Sequence, residues 1–309
     1  MLLSEAIQGF LYSKSITCSP YTIKDYRHVL SKWLELIGDQ PVTMVTGNDV
    51  QRYLYDMKLE RQLSPKTIKN AHTVISSFYT WAEQEFDIPH VIRGKIASPK
   101  AHPTEIIPLS KRDVRDLLMA MDRSAMWDTR RRYAARNLRP TRLRDKAIVL
   151  FLLDTGIRAQ ELCDLLVDDV DMKSGAVHIR SGKGGKGRTV YVGFVAKDAL
   201  WKYLSRRKDD YQRNPLFMTG KRGPMDRAAL RKMLVSAAER AEIQEPVGPH
   251  RFRHTFAINY LRNGGDIFTL QRLLGHSSLD MVQRYLAIAQ VDVAEAHKRA
   301  SPADNWRLG

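Results

Sequence analysis

A short stretch near the C-terminus concentrates side chains that could bind a phosphate and react with it. Residues 249–286 contain His250, Arg253, His276 and Tyr285. On a helix beginning at Pro249, His250 and Arg253 share a face, because they are three residues apart, and would present an imidazole and a guanidinium to one anion. A surface His–Arg pair is the competing interpretation. Considered alone, Tyr285 fits a core tyrosine better, since a phenol titrates near ~10 and needs neighbouring cations to act as a nucleophile.

A further candidate cation lies far upstream of this stretch. Arg158 follows the Thr155-Gly156 break, where a helix is expected to begin. At that position the helix dipole and the guanidinium would act on the same phosphate. The alternative is a surface arginine paired with Glu161, three residues further on.

A glycine-rich turn at residues 182–188 holds more cations. Its glycines allow close backbone approach to nucleic acid, and Lys183 on its tip could reach a leaving oxygen as a general acid. Lys186 and Arg188 are predicted to contact DNA from the same turn. The turn resembles a nucleotide-binding P-loop only superficially, because Arg188-Thr189 stand where Lys-Ser/Thr would be required.

The carboxylates do not favour a metal site. Asp168, Asp169 and Asp171 have ordinary turn-like spacing, without histidine or cysteine neighbours. Cleaving a phosphodiester without a metal requires several fixed cations around the phosphate and a nucleophile in line with the leaving oxygen. The sequence therefore predicts chemistry without a metal or another cofactor.

Charge is distributed unevenly along the 309 residues. The net charge is +16, with 11 Lys+Arg against 10 Asp+Glu in residues 1–97 and 39 against 24 in residues 98–309. A domain as basic as the second is expected to meet a polyanion, most often nucleic acid, although a solvated basic surface has a similar composition. No stretch is apolar enough to span a membrane. Two distant cysteines, Cys18 and Cys163, favour a reduced, cytoplasmic location.

The pattern predicts a mainly α fold with a small antiparallel β-sheet. Residues 1–97 are predicted to be helical, with Ser-Pro pairs at Ser19 and Ser64 starting two helices. Residues 98–109 contain three prolines and are interpreted as a linker. In residues 110–309, alternation at 175–180 and 188–192 predicts the one clear hairpin.

Other basic residues are candidates for contact with DNA. Arg52, Lys66 and Lys69 are expected near helix starts, where backbone N–H groups and cations hold phosphates together. Residues 123–146 carry nine Lys+Arg and two Asp, which favours a DNA-contacting or disorder-prone loop over an ordinary surface. The contacts predicted within it are Arg130, Arg131 and Arg132.

Taken in order, four segments resemble the tyrosine recombinase (phage integrase) family. They are TGIRAQEL (155–162), GKGGKGR (182–188), PHRFRHTFA (249–257) and LLGHSSLDMVQRYL (273–286). The N-terminal segments SPYTIKDY and LSPKTIKN resemble the helical core-binding domain of that family. The resemblance implies a core-binding domain at 1–97, a linker at 98–109 and a catalytic domain at 110–309.

The resemblance also implies a mechanism. The family's catalytic positions fall on Arg158, Lys183, His250, Arg253, His276 and Tyr285, with Glu161 at a frequent acidic support position. Tyr285 would form a 3′-phosphotyrosine; the two arginines would clamp the phosphate and His276 would hydrogen-bond it. Lys183 would protonate the leaving oxygen, and His250 would assist proton transfer.

The implied activity is site-specific recombination in the prokaryotic cytoplasm or nucleoid, without ATP or metal. The partners would be double-stranded DNA and further copies of the chain, as a tetramer on two sites passing through a Holliday junction and a monomer or weak dimer when free. Integration, excision, dimer resolution and transposition remain open at this point. Two alternatives are a type IB topoisomerase-like nicking and closing enzyme and a non-catalytic DNA-binding module.

Overall fold

The computed structural model describes residues 1–100, 105–122, 127–128, 134–135, 138–180, 187–207, 215–219, 223–276, 278–289, 297 and 301–306. The chain divides into two compact units, Met1–Glu105 and Ile106–Gly309. The division falls inside the predicted linker at 98–109. The chain is mainly helical, as predicted, with short antiparallel strand pairs. No helix within the described residues is long and apolar enough to cross a membrane.

Four helices form most of the first unit: α1 (Leu3–Ser15), α2 (Pro20–Ile37), α3 (Gly47–Tyr55) and α4 (Pro65–Phe86). Both predicted Ser-Pro starts are confirmed. The hydroxyls of Ser19 and Ser64 accept the backbone N–H of Thr22 and Thr67, each at 3.2 Å. Each cap satisfies one of the donors that a helix start leaves unpaired.

The position of Arg52 differs from the expectation. Arg52 was expected near a helix start, but α3 begins at Gly47 and changes to a π-helical turn at Asp56–Glu60. Arg52 therefore lies in the last turn of α3, away from the N–H groups of its start. Lys66 lies in the first turn of α4, and Lys69 follows in the next. All three side chains are exposed, and their contact with DNA remains a prediction.

The second unit contains the elements that position the candidate site. Its helices are α5 (Lys111–Asp122), α6 (Arg142–Thr155), α7 (Ala159–Asp164), α8 (Phe194–Leu204), α9 (Arg227–Arg240), α10 (Pro249–Arg262), α11 (Ile267–Leu274), α12 (Asp280–Ala289) and α13 (Pro302–Asn305). Ser110 and Asp113 cap α5 reciprocally, since the backbone N–H of each donates to the side chain of the other at 2.8 and 3.0 Å. This reciprocal pair is a capping box.

Two strand pairs occur among the described residues of this unit. The predicted hairpin is β3 (Ala176–Ile179) paired antiparallel with β4 (Arg188–Tyr191). Before it, β1 (Trp127–Asp128) pairs with β2 (Ala134–Ala135), inside the basic stretch 123–146. The expectation of one hairpin is therefore corrected, because two-residue strands are too short to produce a visible alternation.

The last residues of the basic stretch, 139–146, form ion pairs within the fold rather than a solvated loop. Arg139 and Arg144 pair with the fully buried carboxylate of Asp145 at 3.0 and 2.6 Å, and Lys146 pairs with Asp122 at 2.6 Å. These ion pairs lie at the beginning of α6, and the one between Lys146 and Asp122 ties that helix to the end of α5. Arg130, Arg131 and Arg132 lie outside the described residues, and their contact with DNA remains a prediction.

The described part of the second unit has two apolar clusters. The larger joins α5, α6, α8 and α9 with the β3–β4 pair. The smaller joins α10, α11 and α12 and includes Tyr285. Gly156 ends α6 with a φ of 59°, and a Cβ there would lie 2.4 Å from the ring of Phe256. This close approach brings the segment that carries Arg158 against α10.

Candidate active site

The C-terminal end of α11 gathers three arginines from distant parts of the chain. Arg188, Arg253 and Arg158 donate to three successive carbonyl oxygens, those of residues 273, 274 and 275, at 2.7, 2.7 and 3.0 Å. The last carbonyls of a helix lack partners within the helix and form the negative end of its dipole. This helix end therefore holds the guanidinium groups together despite their like charge.

Glu161 ties two of these arginines to each other. Its two carboxylate oxygens accept from Arg188 at 2.8 and 2.7 Å, and one also accepts from the Arg158 guanidinium at 2.9 Å. Burial favours the neutral acid, but the hydrogen bonds from Arg188 and from the Arg158 backbone and side chain lower the pKa of Glu161 to about 2. The carboxylate is therefore ionised at neutral pH.

Arg253 is the most deeply placed of the three arginines, with 5% of its surface exposed. It also donates to the carbonyl of Gly156 at 2.9 Å. Burial, followed by the charge of Arg158, lowers the pKa of Arg253 to about 10, so it remains a cation at neutral pH. Among the hydrogen bonds and ion pairs of the described residues, Arg158 and Arg188 bind one carboxylate, that of Glu161, whereas Arg253 binds only main-chain carbonyls. The cluster therefore favours an incoming anion.

His276 follows directly on the helix end. Gly275 has a φ of 64°, and a Cβ there would lie 3.2 Å from the Arg188 side chain. The Nδ1 of His276 is buried and has no hydrogen-bond partner among the described residues. Burial and then the nearby arginines lower the pKa of His276 to about 4, which keeps the ring neutral. A neutral imidazole with an unpartnered nitrogen therefore stands beside the cations.

Tyr285 lies on α12 and is 1% exposed. Its hydroxyl is 2.9 Å from Nδ1 of His254, and its ring is roughly parallel to that of His276, with 6.5 Å between centroids. Burial raises the pKa of Tyr285, while the charges of Arg253 and Arg284 oppose that rise. In this position Tyr285 is both the core tyrosine that its spacing indicates and the neighbour of the cation cluster.

Four of the six predicted catalytic residues come together in this way: Arg158, Arg253, His276 and Tyr285. His250 is exposed in the first turn of α10. Lys183 lies outside the described residues, as does Lys186. Arg188 was predicted to contact DNA, yet its described hydrogen bonds run to Glu161 and to the carbonyl of Leu273.

Two residues, Arg188 and His254, make contacts at the site that the sequence did not indicate. Arg188 completes the cluster, but its partners are 27 and 85 residues away and leave no local signal. His254 is four residues after His250, which indicates a shared helical face but not which histidine reaches the phenol. Among the described residues, no group of three or more His, Cys, Asp or Glu side chains could hold a metal ion.

Comparison with known proteins gives the family. Residues 109–291 match the model of the phage integrase family, and residues 8–86 match its N-terminal SAM-like domain. The chain is 29% identical over 296 residues to tyrosine recombinase XerC of Oceanobacillus iheyensis, which covers 93% of this chain and 92% of that protein. It is 29% identical over 309 residues to tyrosine recombinase XerA of Pyrococcus furiosus, covering 98% and 96%.

A solved structure agrees on the fold. The Tn1549 transposon integrase, in complex with transposon right end DNA, matches with a TM-score of 0.71 and 19% identity, covering 96% of this chain and 98% of that one. These findings do not favour a topoisomerase-like enzyme or a non-catalytic DNA-binding module. The chain therefore belongs to the phage integrase family, and it is a site-specific recombinase of the tyrosine type.

Proposed function

We propose that this chain cuts and rejoins duplex DNA by transferring one phosphate to Tyr285 and back to DNA. The Tyr285 oxygen attacks the phosphorus, a 3′-phosphotyrosine forms, and the 5′-oxygen leaves as a hydroxyl. The covalent link conserves the phosphodiester energy, so neither ATP nor a metal takes part. The observation that carries the proposal is the position of this phenol beside the neutral imidazole of His276 and within the electrostatic influence of Arg253, one of the three arginines that meet at the end of α11.

Each group has a role that its position supports. Arg158 and Arg253 bind the non-bridging oxygens, because a guanidinium has five N–H donors and their described bonds to Glu161 and to backbone carbonyls use only some of them. His276 hydrogen-bonds the phosphate. Lys183 protonates the leaving oxygen, and His250, exposed at the start of α10, assists proton transfer.

Recombination needs more than one copy of this site. We propose a tetramer on two DNA sites, exchanging two strands at a time through a Holliday junction, from a chain that is a monomer or weak dimer when free. Arg52, Lys66, Lys69, Arg130, Arg131, Arg132 and Lys186 contact the duplex. The reduced, cytoplasmic location agrees with Cys18 and Cys163 being free thiols.

Trapping the covalent intermediate tests the proposal. A duplex nicked just beyond the cleavage position loses a short fragment after cleavage, which prevents rejoining. Incubated with this DNA in EDTA, the chain should form an adduct stable in denaturing gels. Tyr285→Phe should abolish the adduct, whereas Tyr260→Phe, a change of the same kind on α10, should leave it intact. An adduct formed by the Tyr285→Phe protein would show that another residue is the nucleophile.

A further inference from the structure

We propose that His254 takes the proton of the Tyr285 hydroxyl as that oxygen attacks phosphorus, and aims the hydroxyl before the attack. The inference rests on the proposed role of Tyr285 as the nucleophile. The family resemblance assigns catalytic roles to six residues, and His254 is not one of them. The structure nevertheless places His254 within hydrogen-bond distance of the Tyr285 hydroxyl.

The geometry selects His254 for this role. Its Nδ1 lies 2.9 Å from the Tyr285 oxygen, within the range of a direct hydrogen bond. The phenol is 1% exposed, so bulk water does not reach it to accept the proton. Arg253 and Arg284, whose charges act on the phenol, are donors and cannot accept a proton. The phenol donates to Nδ1 when the imidazole carries its own proton on Nε2.

Burial and the surrounding charges keep the His254 ring neutral, which is the form that can accept a proton. The groups that act on it are His250 and Arg253 on its own helix, α10, and Arg284 on α12, beside Tyr285 itself. Burial, then His250, Arg253 and Arg284, lower the pKa of His254, so the ring is neutral at neutral pH. A phosphodiester bound at the cluster brings a negative charge, which favours the protonated imidazole. Substrate binding therefore increases the basicity of His254 when it is needed.

The proposed step is balanced in atoms and charge. The O–H bond of Tyr285 breaks and its proton moves to Nδ1 of His254. The phenolic oxygen forms a bond to phosphorus, and the bond from phosphorus to the 5′-oxygen breaks. That oxygen takes a proton from the general acid proposed above, Lys183. In rejoining, the steps reverse and His254 returns the proton to the phenolic oxygen.

Single-turnover cleavage of the nicked duplex tests the inference with two variants. In His254→Asn an amide near the position of Nδ1 can still hydrogen-bond the phenol but cannot take its proton, and His254→Phe retains a ring without an acceptor. Both should cleave about 10²- to 10⁴-fold more slowly than the wild type, as expected for loss of a general base. DNA binding and thermal unfolding of His254→Asn should match the wild type. A cleavage rate of His254→Asn equal to that of the wild type would overturn the proposal.

Two chemical substitutions separate this role from a structural one. Incorporating 3,5-difluorotyrosine at position 285, whose phenol ionises at lower pH, should raise the cleavage rate of His254→Asn at least about tenfold. A substrate with sulfur in place of the 5′-bridging oxygen has a leaving group that needs no proton. It should restore cleavage by Lys183→Ala and not by His254→Asn. Absence of the fluorotyrosine rescue, or restoration of His254→Asn by the sulfur substrate, would contradict the role of His254.

The wild-type reaction distinguishes failure of this inference from failure of the proposed function. If wild-type protein forms no adduct, the proposed nucleophilic role of Tyr285 fails. If the wild type forms the adduct and the His254 variants form it equally fast, the inference alone fails.

Discussion

Two buried carboxylates in the second unit are each bound by two arginines, yet they serve different purposes. Asp145 accepts from Arg139 at 3.0 Å and from Arg144 at 2.6 Å. Glu161 accepts from Arg158 at 2.9 Å and from Arg188 at 2.7 Å. In both clusters an arginine also donates to a backbone carbonyl distant in sequence, that of Met218 for Arg144 and that of Leu273 for Arg188.

The surroundings of the two clusters differ. The side chains that bind Asp145 come from residues 139–144, at the start of α6, with Thr141 adding a further hydrogen bond at 2.8 Å. Glu161 joins segments that meet at the end of α11, next to His276, whose Nδ1 has no hydrogen-bond partner among the described residues and whose ring centroid lies 6.5 Å from that of Tyr285. The same ion-pair chemistry therefore fixes the start of one helix in the first case, and in the second joins the groups that are proposed to bind a phosphate.

The largest effect on the cleavage rate should follow from changing one of the three arginines that meet at the end of α11. Arg253→Lys keeps the charge but loses the planar fork that spans the carbonyls of Gly156 and Leu274. We expect cleavage of the nicked duplex to slow by about 10³-fold. The matched change Arg144→Lys should leave the rate per folded molecule unchanged. Equal losses of rate in the two variants would remove the distinction between the clusters.

Neutralising each carboxylate should separate stability from activity. Asp145→Asn leaves two arginines without their buried counter-charge, and we expect a loss of about 3 kcal/mol in the free energy of unfolding with an unchanged cleavage rate per folded molecule. Glu161→Gln should cost about 2 kcal/mol of stability and slow cleavage by roughly tenfold to a hundredfold, because it releases Arg158 and Arg188 from their shared anchor. Urea unfolding measures the loss of stability in both variants, and single-turnover cleavage shows whether only Glu161→Gln also loses rate.

The smallest expected effect is a change in the dependence of stability on pH. The pKa of Glu161 is lowered in the folded chain to about 2, from an ordinary value of 4.5. Its contribution to stability is therefore fully present above about pH 4.5 and is lost as the pH falls towards 2. The difference of about 2 kcal/mol between wild type and Glu161→Gln should shrink steadily between pH 5 and pH 3 in urea titrations. A difference that stays constant over that range would show that folding does not lower the pKa of Glu161.

Local features of the fold were predictable from the sequence. The caps at Ser19, Ser64 and Ser110 depend on residues within four positions of one another, so their spacing alone identifies them. Arg52 was misplaced because α3 begins at Gly47, earlier than expected, where the backbone N–H of Thr46 donates to the Asp49 carboxylate at 2.8 Å. That start also has a local signal, the capping spacing of Thr46 and Asp49.

The sequence singled out residues that the structure brings together, but it did not show how they are held. The resemblance identified Arg158, Arg253, His276 and Tyr285, but the groups that hold the arginines are carbonyl oxygens of the main chain, which every residue possesses. The choice between His250 and His254 depends on how α10 is rotated against α12, and that rotation follows from packing over long sequence distances.

The three carbonyl oxygens at the end of α11 also set the order in which the site can be assembled during synthesis. The ribosome makes Arg158, Arg188 and Arg253 first, and the carbonyls of residues 273–275 that hold them appear only afterwards. Tyr285 follows ten residues after Gly275. A nascent chain therefore carries its three arginines before the carbonyl groups that hold them, and these carbonyls and the proposed nucleophile are made close together. The proposed cleavage of DNA cannot begin before residue 285 has been translated.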